Sequence, residues 1–413
     1  NEARVIANVL EPKLTPLDKI WHLDINHQNK SVSVSAPFFA GLNQATAIYR
    51  ANIGCTLVVD NQLADIQIHT LPEDQHPHPD RLIKTPEIGA AKDFTQALFT
   101  EDQLSLRAKN NTYAALVFHD GQLIAEQYAE GLGPDNRLLA WSMSKTVIAL
   151  LLGMLEQDGK SKLDSPMPFD DWQGSDKQQI SLRHLMNMTS GLQWHEDYEK
   201  TSDVGRMMYL SGNQADYVKS HELIHPPGSY FYYSTGDSML IADYLTQQIG
   251  GSLQHVYDFY QKELFQKLEI HNAFIEVDES GTLIGGARVI MSPRDWGKIG
   301  QLMLQQGNWK GEQLVSRDWI KFMTTGSAAT DLYGGQTWLY DSNAMGAGIP
   351  KDTFFLYGYQ GQYVVVIPSL KLVVVRQGAL GPDTSVLEAR QQLFKQISQL
   401  IQQLPQQLHL SNR

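Results

Sequence analysis

The sequence predicts an α+β protein in which helices flank an antiparallel sheet, the strands come from both ends of the chain, and an all-helical region is inserted between them. Two hairpin signals support this prediction. "YAALVFHDGQLIAEQYAEG" contains two alternating runs around Asp120-Gly121, and "QYVVVIPSLKLVVVRQG" contains two β-branched runs around Pro368-Ser369. Between them, from about residue 165 to 281, helical patterns such as "SMLIADYLTQQIGG" dominate.

This order divides the chain into three parts. Residues 95–164 and 282–413 are expected to form the domain that contains the sheet, and residues 165–281 the mainly helical domain. Residues 1–94 are an N-terminal extension of unknown role. In this extension "KSVSVSAPFF" and "CTLVVDNQL" alternate as strands do, whereas "QATAIYRAN" suggests a short helix.

Three helices are predicted outside the inserted region. The apolar run Val147–Leu155 follows Lys145 and indicates a buried helix, and "SPRDWGKIGQLMLQQG" has a proline in its first helical turn. In the terminal segment "SVLEARQQLFKQISQLIQQL", apolar side chains recur on one helical face: Leu387, Phe394, Ile397, Leu400, Ile401 and Leu404.

The composition is that of a globular protein and excludes several kinds of partner. Of the 413 residues, 42% are hydrophobic and 19% are charged, and the net charge of −12 includes no run of lysines or arginines, so nucleic acid is not expected to bind. The longest apolar run is far too short to span a membrane. The single cysteine, Cys55, excludes a disulfide framework and a cysteine-rich zinc site, and is expected to be a small buried residue.

Two groups of histidines are weighed as metal sites and rejected. "HELIH", residues 221–225, matches H-E-x-x-H, which binds zinc only when both histidines lie one turn apart on a continuous helix. Because Pro226 follows His225 directly, we interpret this segment as the end of a helix that runs into a loop. The proline-rich "HTLPEDQHPHPDRLIKTP" is typical of an extended linker, which keeps its histidines apart: His69, His76 and His78.

The segment "WSMSKTVIALLLGML" contains an S-x-x-K tetrapeptide that starts at Ser142 and ends at Lys145. On a helix, positions i and i+3 share a face, so Lys145 Nζ can reach Ser142 Oγ. The helix N-terminus favours an alkoxide-like serine, and the apolar helix would desolvate the lysine and lower its pKa, as a lysine base requires. Ser144 only fills a position between the two. The alternative is that Ser142 caps the helix and Lys145 extends to water.

A second stretch supplies a candidate proton-transfer group. "PPGSYFYYSTGDSMLIADYL" leads from a Pro-Gly turn through Tyr233 into an amphipathic helix. A tyrosine at such a junction can project into a cleft, where a cationic lysine would favour its phenolate. The alternative is a core aromatic, since three other aromatic residues precede it.

A third stretch supplies a candidate oxyanion site. In "LYGYQGQYVVVIP", Gly358 and Gly361 stand just before an apolar strand. Glycine in a strand often marks the close approach of a ligand or another backbone. An edge N–H there, such as that of Gln362, could bind an oxyanion beside the N–H of Ser142.

In this order, these stretches resemble the serine β-lactamase/penicillin-binding-protein superfamily, and especially its class-C-like esterases and 6-aminohexanoate-oligomer hydrolases. "ISLRHLMNMTSGLQW" is similar to the family's "rhLLtHTSGL", and "GYQGQYVVVIPSLKLVVV" is similar to "G..Gq.i.vdP...lvvV". The resemblance covers about residues 95–400. It implies a β-lactamase-like fold and a serine hydrolase that acts through an acyl-enzyme.

The resemblance also assigns roles to individual positions. The nucleophile, the lysine that helps to deprotonate it and the tyrosine proton shuttle of Y-x-N are matched by Ser142, Lys145 and Tyr233. The K-T-G or H-x-G segment is matched by Tyr359, Gln360 and Gly361. The two N–H groups of the oxyanion hole are matched by Ser142 and Gln362.

Two departures from the family pattern bear on the substrate. Thr235 replaces the asparagine of Y-x-N that usually holds a substrate amide, and Tyr359 replaces the lysine that grips the carboxylate of a β-lactam or D-alanine. Both favour an ester or linear amide of a small molecule. The alternatives are a penicillin-recognising enzyme of the β-lactamase, D-aminopeptidase or carboxypeptidase type, and a non-catalytic binder or sensor on the same fold.

The loop "GLQWHEDYEK" is a further candidate for substrate contact. Its Trp194 and Tyr198 are expected to form a substrate wall or lid, or alternatively to anchor a surface loop. No metal or cofactor is expected, and no sequence pattern predicts the oligomeric state. The chain begins at Asn1 without a visible signal peptide, so we expect a bacterial periplasmic or secreted protein whose leader has been removed, with a cytoplasmic protein as the alternative.

Overall fold

The structure is a computed structural model that describes residues 22–35, 44–61, 89–100, 111–198, 201–250, 252–380 and 384–411. In chain order its strands are β1 His22–Asn26, β2 Ser31–Ser35, β3 Gln44–Arg50, β4 Gly54–Val58, β5 Asn111–His119, β6 Gln122–Tyr128, β7 Leu138–Leu139, β8 Phe274–Ile275, β9 Val289–Met291, β10 Asn308–Trp309, β11 Glu312–Gln313, β12 Trp338–Leu339, β13 Phe354–Gly358, β14 Gln362–Ile367 and β15 Leu372–Ala379. The α-helices are α1 Gly89–Thr100, α2 Ser144–Gln157, α3 Leu182–Met186, α4 Asp203–Leu210, α5 Gln214–Lys219, α6 Thr235–Ile249, α7 Leu253–Tyr260, α8 Pro293–Leu304, α9 Arg317–Met323, α10 Ser342–Met345 and α11 Val386–Ser411.

The largest sheet confirms the predicted antiparallel arrangement of strands from both ends of the chain. Its six strands run in the order β12-β13-β14-β15-β5-β6, so β15 pairs with β5 and joins the two ends. The β5–β6 turn has Asp120 and Gly121 at φ values of 49° and 82°, the left-handed region that a tight hairpin turn requires. The β14–β15 hairpin turns at residues 368–370, and Lys371 closes it with a φ of 48°.

Alternating side chains of this sheet build two hydrophobic cores. On one face Val364 and Val373 pack in the core that contains α2 and α8, and on the other face Val365 and Val374 pack with α1 and α11. The apolar run Val147–Leu155 lies on α2 and is completely buried, as predicted. The sheet is therefore flanked by helices on both faces.

Helices α3 to α7 follow α2 in the chain before β8 begins, in the part of the sequence where helical patterns dominate. The α6 helix packs against α2, α3 and α5. Ser234 caps its N-terminus by accepting a hydrogen bond from the N–H of Asp237 at 3.0 Å. This cap fixes the junction that precedes α6, where Tyr233 lies.

The N-terminal extension contains a four-stranded antiparallel sheet in the order β1-β2-β3-β4. The expectation of a helix at "QATAIYRAN" is wrong, because this segment is β3, and its alternate residues Ile48 and Arg50 are buried between β2 and β4. The expectation that Cys55 is buried is also wrong. Its neighbours Gly54 and Thr56 point inward along β4, so the cysteine side chain is exposed.

This small sheet attaches to a segment that follows β8. The N–H of Cys55 donates to Glu276 Oε1 at 2.8 Å, and the N–H of Asp60 donates to Glu279 Oε2 at 2.9 Å. The hydroxyl of Thr56 donates to the carbonyl of Val277 at 2.9 Å. Carboxylates that accept backbone N–H groups make strong contacts, so β4 is firmly tied to this part of the chain. The linker histidines His69, His76 and His78 lie outside the described residues.

Within the described ranges, no helix combines the length and the apolar character needed to cross a membrane.

Candidate active site

Ser142 lies in a short 3₁₀ turn, Trp141–Met143, that joins β7 to α2. Trp141 has a φ of 51°, in the left-handed region that a bulky L-residue rarely adopts. The N-cap residue of α2 is Met143, and no side chain hydrogen-bonds at this cap. Ser142 therefore does not cap the helix, which removes the alternative interpretation of this residue.

Ser144 contributes more than the sequence suggested. Its hydroxyl donates to the carbonyl of Trp141 at 2.6 Å and accepts from the N–H of Val289 at 2.9 Å. The side chain thus ties the strained turn to β9, in the second of the two segments that are expected to form the sheet domain. The expectation that this residue only fills a position is wrong, because its buried hydroxyl fixes the backbone that presents Ser142.

Lys145 points into the site instead of extending to solvent, and its side chain is 1% exposed. Its Nζ donates to Ser142 Oγ at 3.2 Å, to Thr235 Oγ1 at 2.9 Å and to the carbonyl of Gly286 at 2.8 Å. Burial lowers the pKa of Lys145 to about 8, while the carboxylate of Glu196 acts in the opposite direction. The lysine can therefore exist as a neutral amine near neutral pH.

Tyr233 stands beside this pair. Its ring centroid lies 5.2 Å from Lys145 Nζ, and the ring stacks on the Trp338 indole. Burial, followed by the charge of Glu196, raises the pKa of Tyr233, and a hydrogen bond with Ser142 opposes this rise. The sequence-based expectation that Lys145 would favour the phenolate is wrong, because desolvation and the nearby carboxylate outweigh it. In the resting site Tyr233 is a neutral phenol.

A cation from the C-terminal helix lies behind Tyr233. The guanidinium carbon Cζ of Arg390, on α11, is 4.6 Å from the Tyr357 ring centroid and 5.7 Å from the Trp338 ring centroid. The Nε of Arg390 donates to the hydroxyl of Tyr363 at 3.3 Å. The charge of Arg390 acts to lower the pKa of Tyr233. Sequence reasoning missed this arginine, since position 390 lies on an amphipathic helix with no motif around it.

Glu196 is the second residue that sequence reasoning missed. Its Oε2 accepts the Trp194 Nε1–H at 2.6 Å and the N–H of Thr235 at 2.8 Å. Its Oε1 accepts the hydroxyl of Tyr198 at 2.9 Å and the hydroxyl of Thr235. A carboxylate held by four donors is strongly fixed. The one feature of the sequence that pointed to Glu196 was its place in the loop "GLQWHEDYEK", which was predicted to contact substrate.

The β13–β14 hairpin places the K-T-G-like segment next to the serine turn. Gly358 packs so closely on this turn that a Cβ there would lie 2.1 Å from the carbonyl oxygen of Ala140. Gln360 and Gly361 form the hairpin turn, with φ values of 61° and 83°. Gln362 opens β14 opposite Gly358, and its buried side chain hydrogen-bonds with Gly378. Gln362 therefore pairs across the hairpin with Gly358, the residue that contacts Ala140.

Three aromatic side chains meet beside this hairpin and form what we call the aromatic wall: Trp141, Tyr198 and Tyr359. The Tyr198 and Tyr359 rings are stacked with centroids 4.9 Å apart, and Trp141 meets Tyr359 edge-on at 5.3 Å. Trp194 is buried, 5% exposed, and its ring packs directly against Gly236. Of the two aromatic residues in this loop, Tyr198 thus belongs to the wall, whereas Trp194 has the contacts of an anchor.

The H-E-x-x-H segment does not form the helix that a zinc site needs. The preceding helix α5 ends at Lys219, and residues 221–225 lie outside any helix. His221 contacts Tyr217, and His225 contacts Tyr230, so the two imidazoles are not brought together. Among the residues that the structure describes, no group of three or more His, Cys, Asp or Glu side chains is placed to hold a metal ion.

The fold and the serine–lysine pair define a class of proteins with a β-lactamase-like architecture, and comparison with known proteins identifies the family. A family model described as Beta-lactamase matches residues 100–383. The chain therefore belongs to the beta-lactamase family, as the sequence resemblance predicted.

Individual relatives agree with this assignment. The 6-aminohexanoate-dimer hydrolase of Paenarthrobacter ureafaciens is 26% identical over 232 residues, which are 52% of this chain and 58% of that protein. The chain thus matches somewhat more than half the length of this curated relative. A Bacillus anthracis structure provisionally assigned as a 6-aminohexanoate-dimer hydrolase aligns with a TM-score of 0.65 at 18% identity, covering 81% of this chain and 92% of the other.

A class C β-lactamase from Rhodobacter sphaeroides has a similar fold, with a TM-score of 0.55 and 16% identity over 76% of this chain and 99% of the other. At such low identities the two solved structures support the fold. Together with the family model they confirm the predicted α+β, β-lactamase-like architecture.

Proposed function

We propose that this protein is a serine hydrolase that forms an acyl-enzyme on Ser142 and cleaves ester or linear amide bonds of small molecules. The observation on which the proposal rests is the 3.2 Å contact between Lys145 Nζ and Ser142 Oγ inside a buried site. A desolvated lysine whose pKa is about 8 supplies a neutral amine at working pH, and a nearby general base is what a serine nucleophile needs.

In the proposed reaction, neutral Lys145 accepts the Ser142 proton as Oγ attacks the substrate carbonyl. The N–H of Ser142 holds the developing oxyanion together with an N–H of the β13–β14 hairpin. The family pattern assigns the second donor to the N–H of Gln362. The N–H of Tyr359 is the alternative donor, because the Tyr359 ring contacts Trp141 beside the nucleophile. Tyr233, a neutral phenol, donates its proton to the leaving group and recovers one from the water that releases the acyl group.

The substrate preference follows from the groups around the serine. The family resemblance matches Tyr359 to the carboxylate-binding lysine of K-T-G, and Tyr359 contributes an aromatic ring to the wall instead of a cation. Thr235 replaces the amide-binding asparagine, and its hydroxyl is already engaged by Lys145 and Glu196. An extended substrate with an apolar chain suits this wall better than the compact, negatively charged bicyclic ring system of a β-lactam. The 6-aminohexanoate-dimer hydrolase relative supports a linear amide among such substrates.

A labelling and turnover experiment tests the proposal. A fluorophosphonate probe is expected to modify the wild-type protein at Ser142, and p-nitrophenyl acetate and a linear 6-aminohexanoate dimer to be hydrolysed. Ser142→Ala should abolish both readouts, whereas Ser220→Ala, at an exposed serine, should retain them. Unchanged turnover in Ser142→Ala would refute the acyl-enzyme. A cephalosporin hydrolysed faster than the ester would instead indicate the penicillin-recognising alternative, and absence of any labelling would indicate the binder.

A further inference from the structure

We propose that a cavity between the N-terminal sheet and the segment that follows β8 binds a small α-amino acid with an apolar side chain. The cavity has a volume of about 180 Å³. Residues of β3 and β4 line one side of it, and residues of 276–288 and of helices α4 and α5 line the other. Neither Ser142 nor Lys145 is among the lining residues, so this site is separate from the catalytic pair and does not depend on the proposed function.

Arg288 brings hydrogen-bond donors to this cavity that the protein leaves unused. Its Cζ lies 5.8 Å from the ring centroid of Trp141, so the indole covers one face of the guanidinium. A guanidinium has five N–H donors, yet in the described part of the chain this side chain makes no hydrogen bond. The side chain is 25% exposed. The edge of Arg288 is therefore available to a carboxylate, which a guanidinium can bind through two parallel N–H donors.

Glu276 presents an unused acceptor next to these donors. Its Oε1 accepts the N–H of Cys55 at 2.8 Å, whereas the contact between its Oε2 and Arg288 Nη1 is 3.6 Å long. A polar contact of that length is not a direct hydrogen bond and leaves both groups able to bind a third one. Burial raises the pKa of Glu276, and the charge of Arg288 opposes this rise. A further cation at Oε2 would stabilise the ionised carboxylate.

Gln214 is a third polar group of the cavity that lacks a partner. Its side chain lines the cavity, the residue is 3% exposed, and Oε1 has no hydrogen-bond partner among the described residues. A buried amide oxygen without a donor is unfavourable. An ammonium group has three N–H donors, so a bound ammonium would supply the donor that this oxygen lacks.

The other two carboxylates of the cavity are already occupied by backbone donors. Asp278 Oδ1 accepts the N–H of Thr282 at 3.0 Å. Glu279 accepts the N–H of Asp60 at 2.9 Å and the N–H of Asn61 at 3.0 Å. These two acids therefore serve to hold the N-terminal sheet in place, and the groups left for a ligand are one cation and the acceptors beside it.

This combination selects a zwitterion. A simple anion would meet the carboxylates of the cavity, and a simple cation would meet Arg288, whereas a zwitterion pairs with both and adds no net charge to a partly buried site. The ammonium and carboxylate of an α-amino acid are adjacent, as are Glu276 Oε2 and Arg288 Nη1. The rest of the lining includes apolar side chains, which would receive an apolar ligand side chain: Ala47, Leu57, Met208 and Ile284.

Calorimetric titration with leucine and two analogues of the same shape tests the class of ligand. The analogue 4-methylpentanoate lacks the ammonium, and 3-methylbutylamine lacks the carboxylate. We expect at least one enantiomer of leucine to bind, and both analogues to bind at least about tenfold more weakly, because each loses one charge-assisted contact. Absence of binding by both enantiomers, or equal affinity for the analogues, would overturn the proposal.

The single cysteine of the chain provides a readout of where the ligand binds. Cys55 is exposed and lines the cavity, so bound leucine should slow its alkylation by iodoacetamide. Arg288→Met should remove this protection, and Arg206→Met, at an exposed arginine, should retain it. Binding of leucine without any protection of Cys55 would place the ligand elsewhere and overturn the site.

Gln214→Leu separates a loss of binding from a loss of folding. Leucine at this position removes an unsatisfied buried oxygen, so the free variant should unfold at a temperature no lower than that of the wild type. Its affinity for the amino acid should nevertheless fall by about tenfold. A stable variant that binds as tightly as the wild type would exclude Gln214 from the site and contradict the proposed contacts.

Failure of this proposal is distinguishable from failure of the proposed function. Ser142→Ala should bind leucine with the affinity of the wild type, because the cavity does not include the nucleophile. Loss of binding in Ser142→Ala would place the ligand in the catalytic site and overturn the separate cavity. Fluorophosphonate labelling of Ser142 in a protein that does not bind leucine would retain the hydrolase and reject only this site.

Discussion

The Tyr233 ring lies on the Trp338 indole with centroids 5.2 Å apart and planes inclined by 24°. This stack connects Tyr233, which precedes the Ser234 N-cap of α6, with the edge strand β12 of the main sheet. It holds the tyrosine by its ring and leaves the hydroxyl to interact with Ser142. The position of the ring and the proposed proton transfer by the hydroxyl therefore depend on different atoms, so a mutation can separate them.

Tyr233→Phe should retain the stack and lose the chemistry. Removing a proton-transfer group typically costs a factor of about 10² to 10⁴ in rate. We expect kcat for the ester to fall within this range, with the thermal midpoint of unfolding changed by less than about 3 °C. Tyr209→Phe, at an exposed tyrosine, is the matched control and should behave as wild type. A Tyr233→Phe protein with nearly full turnover would show that Lys145 alone moves the proton.

Lys145→Met should abolish turnover without unfolding the protein. Methionine has a similar length and no charge, so it removes a desolvated amine from an apolar helix while it preserves most of the packing. The carbonyl of Gly286 loses one donor, which limits any gain in stability. We expect turnover to fall by more than 10³-fold and urea unfolding to remain cooperative. Turnover within tenfold of wild type would contradict the role of this lysine.

Gly358→Ala should disturb the site through the backbone. The added Cβ would lie 2.1 Å from the carbonyl oxygen of Ala140, so the hairpin or the serine turn has to move. We expect a loss of about 1–3 kcal/mol in unfolding free energy and a fall in kcat of at least tenfold. The control is Gly133→Ala, where the nearest atom to a new Cβ is 3.8 Å away, and it should change neither quantity. If Gly358→Ala and Gly133→Ala had the same unfolding free energy and the same kcat, the close packing of Gly358 on Ala140 would be refuted.

Asp237→Asn should change how stability depends on pH. Burial raises the pKa of Asp237 to about 8, so between about pH 4 and 8 the folded state keeps a proton that the unfolded state has lost. The unfolding free energy of the wild type should therefore fall as pH rises from 6.5 to 7.5, by up to about 1.4 kcal/mol per pH unit. Asparagine removes this titration, so the variant should show a flatter curve in urea unfolding. Parallel curves for the two proteins would mean that Asp237 ionises normally.

The larger architecture was predictable because its signals are local. The Asp120-Gly121 turn, the paired β-branched runs and the apolar helix after Lys145 each specify an element without knowledge of its neighbours. Segment β3 was misread because its small residues tolerate a helix, and only its pairing with β2 and β4 made it a strand.

The site was predictable only where a motif places residues on one turn of helix. Ser142 and Lys145 are three positions apart, whereas Glu196 meets Thr235 across 39 residues, and no sequence pattern marks that contact. The sense of the Tyr233 pKa shift was missed for the same reason. It depends on burial and on a carboxylate whose position is set by the folded loop around Trp194.

The left-handed backbone at Trp141 imposes opposing demands on a single position. A bulky L-residue with a φ of 51° costs about 1–2 kcal/mol relative to glycine, so folding alone would select glycine there. The aromatic wall, however, requires the indole that meets Tyr198 and Tyr359. Under the proposed function, backbone stability and substrate selection make opposite demands on residue 141, so a variant at this position should be measured for both.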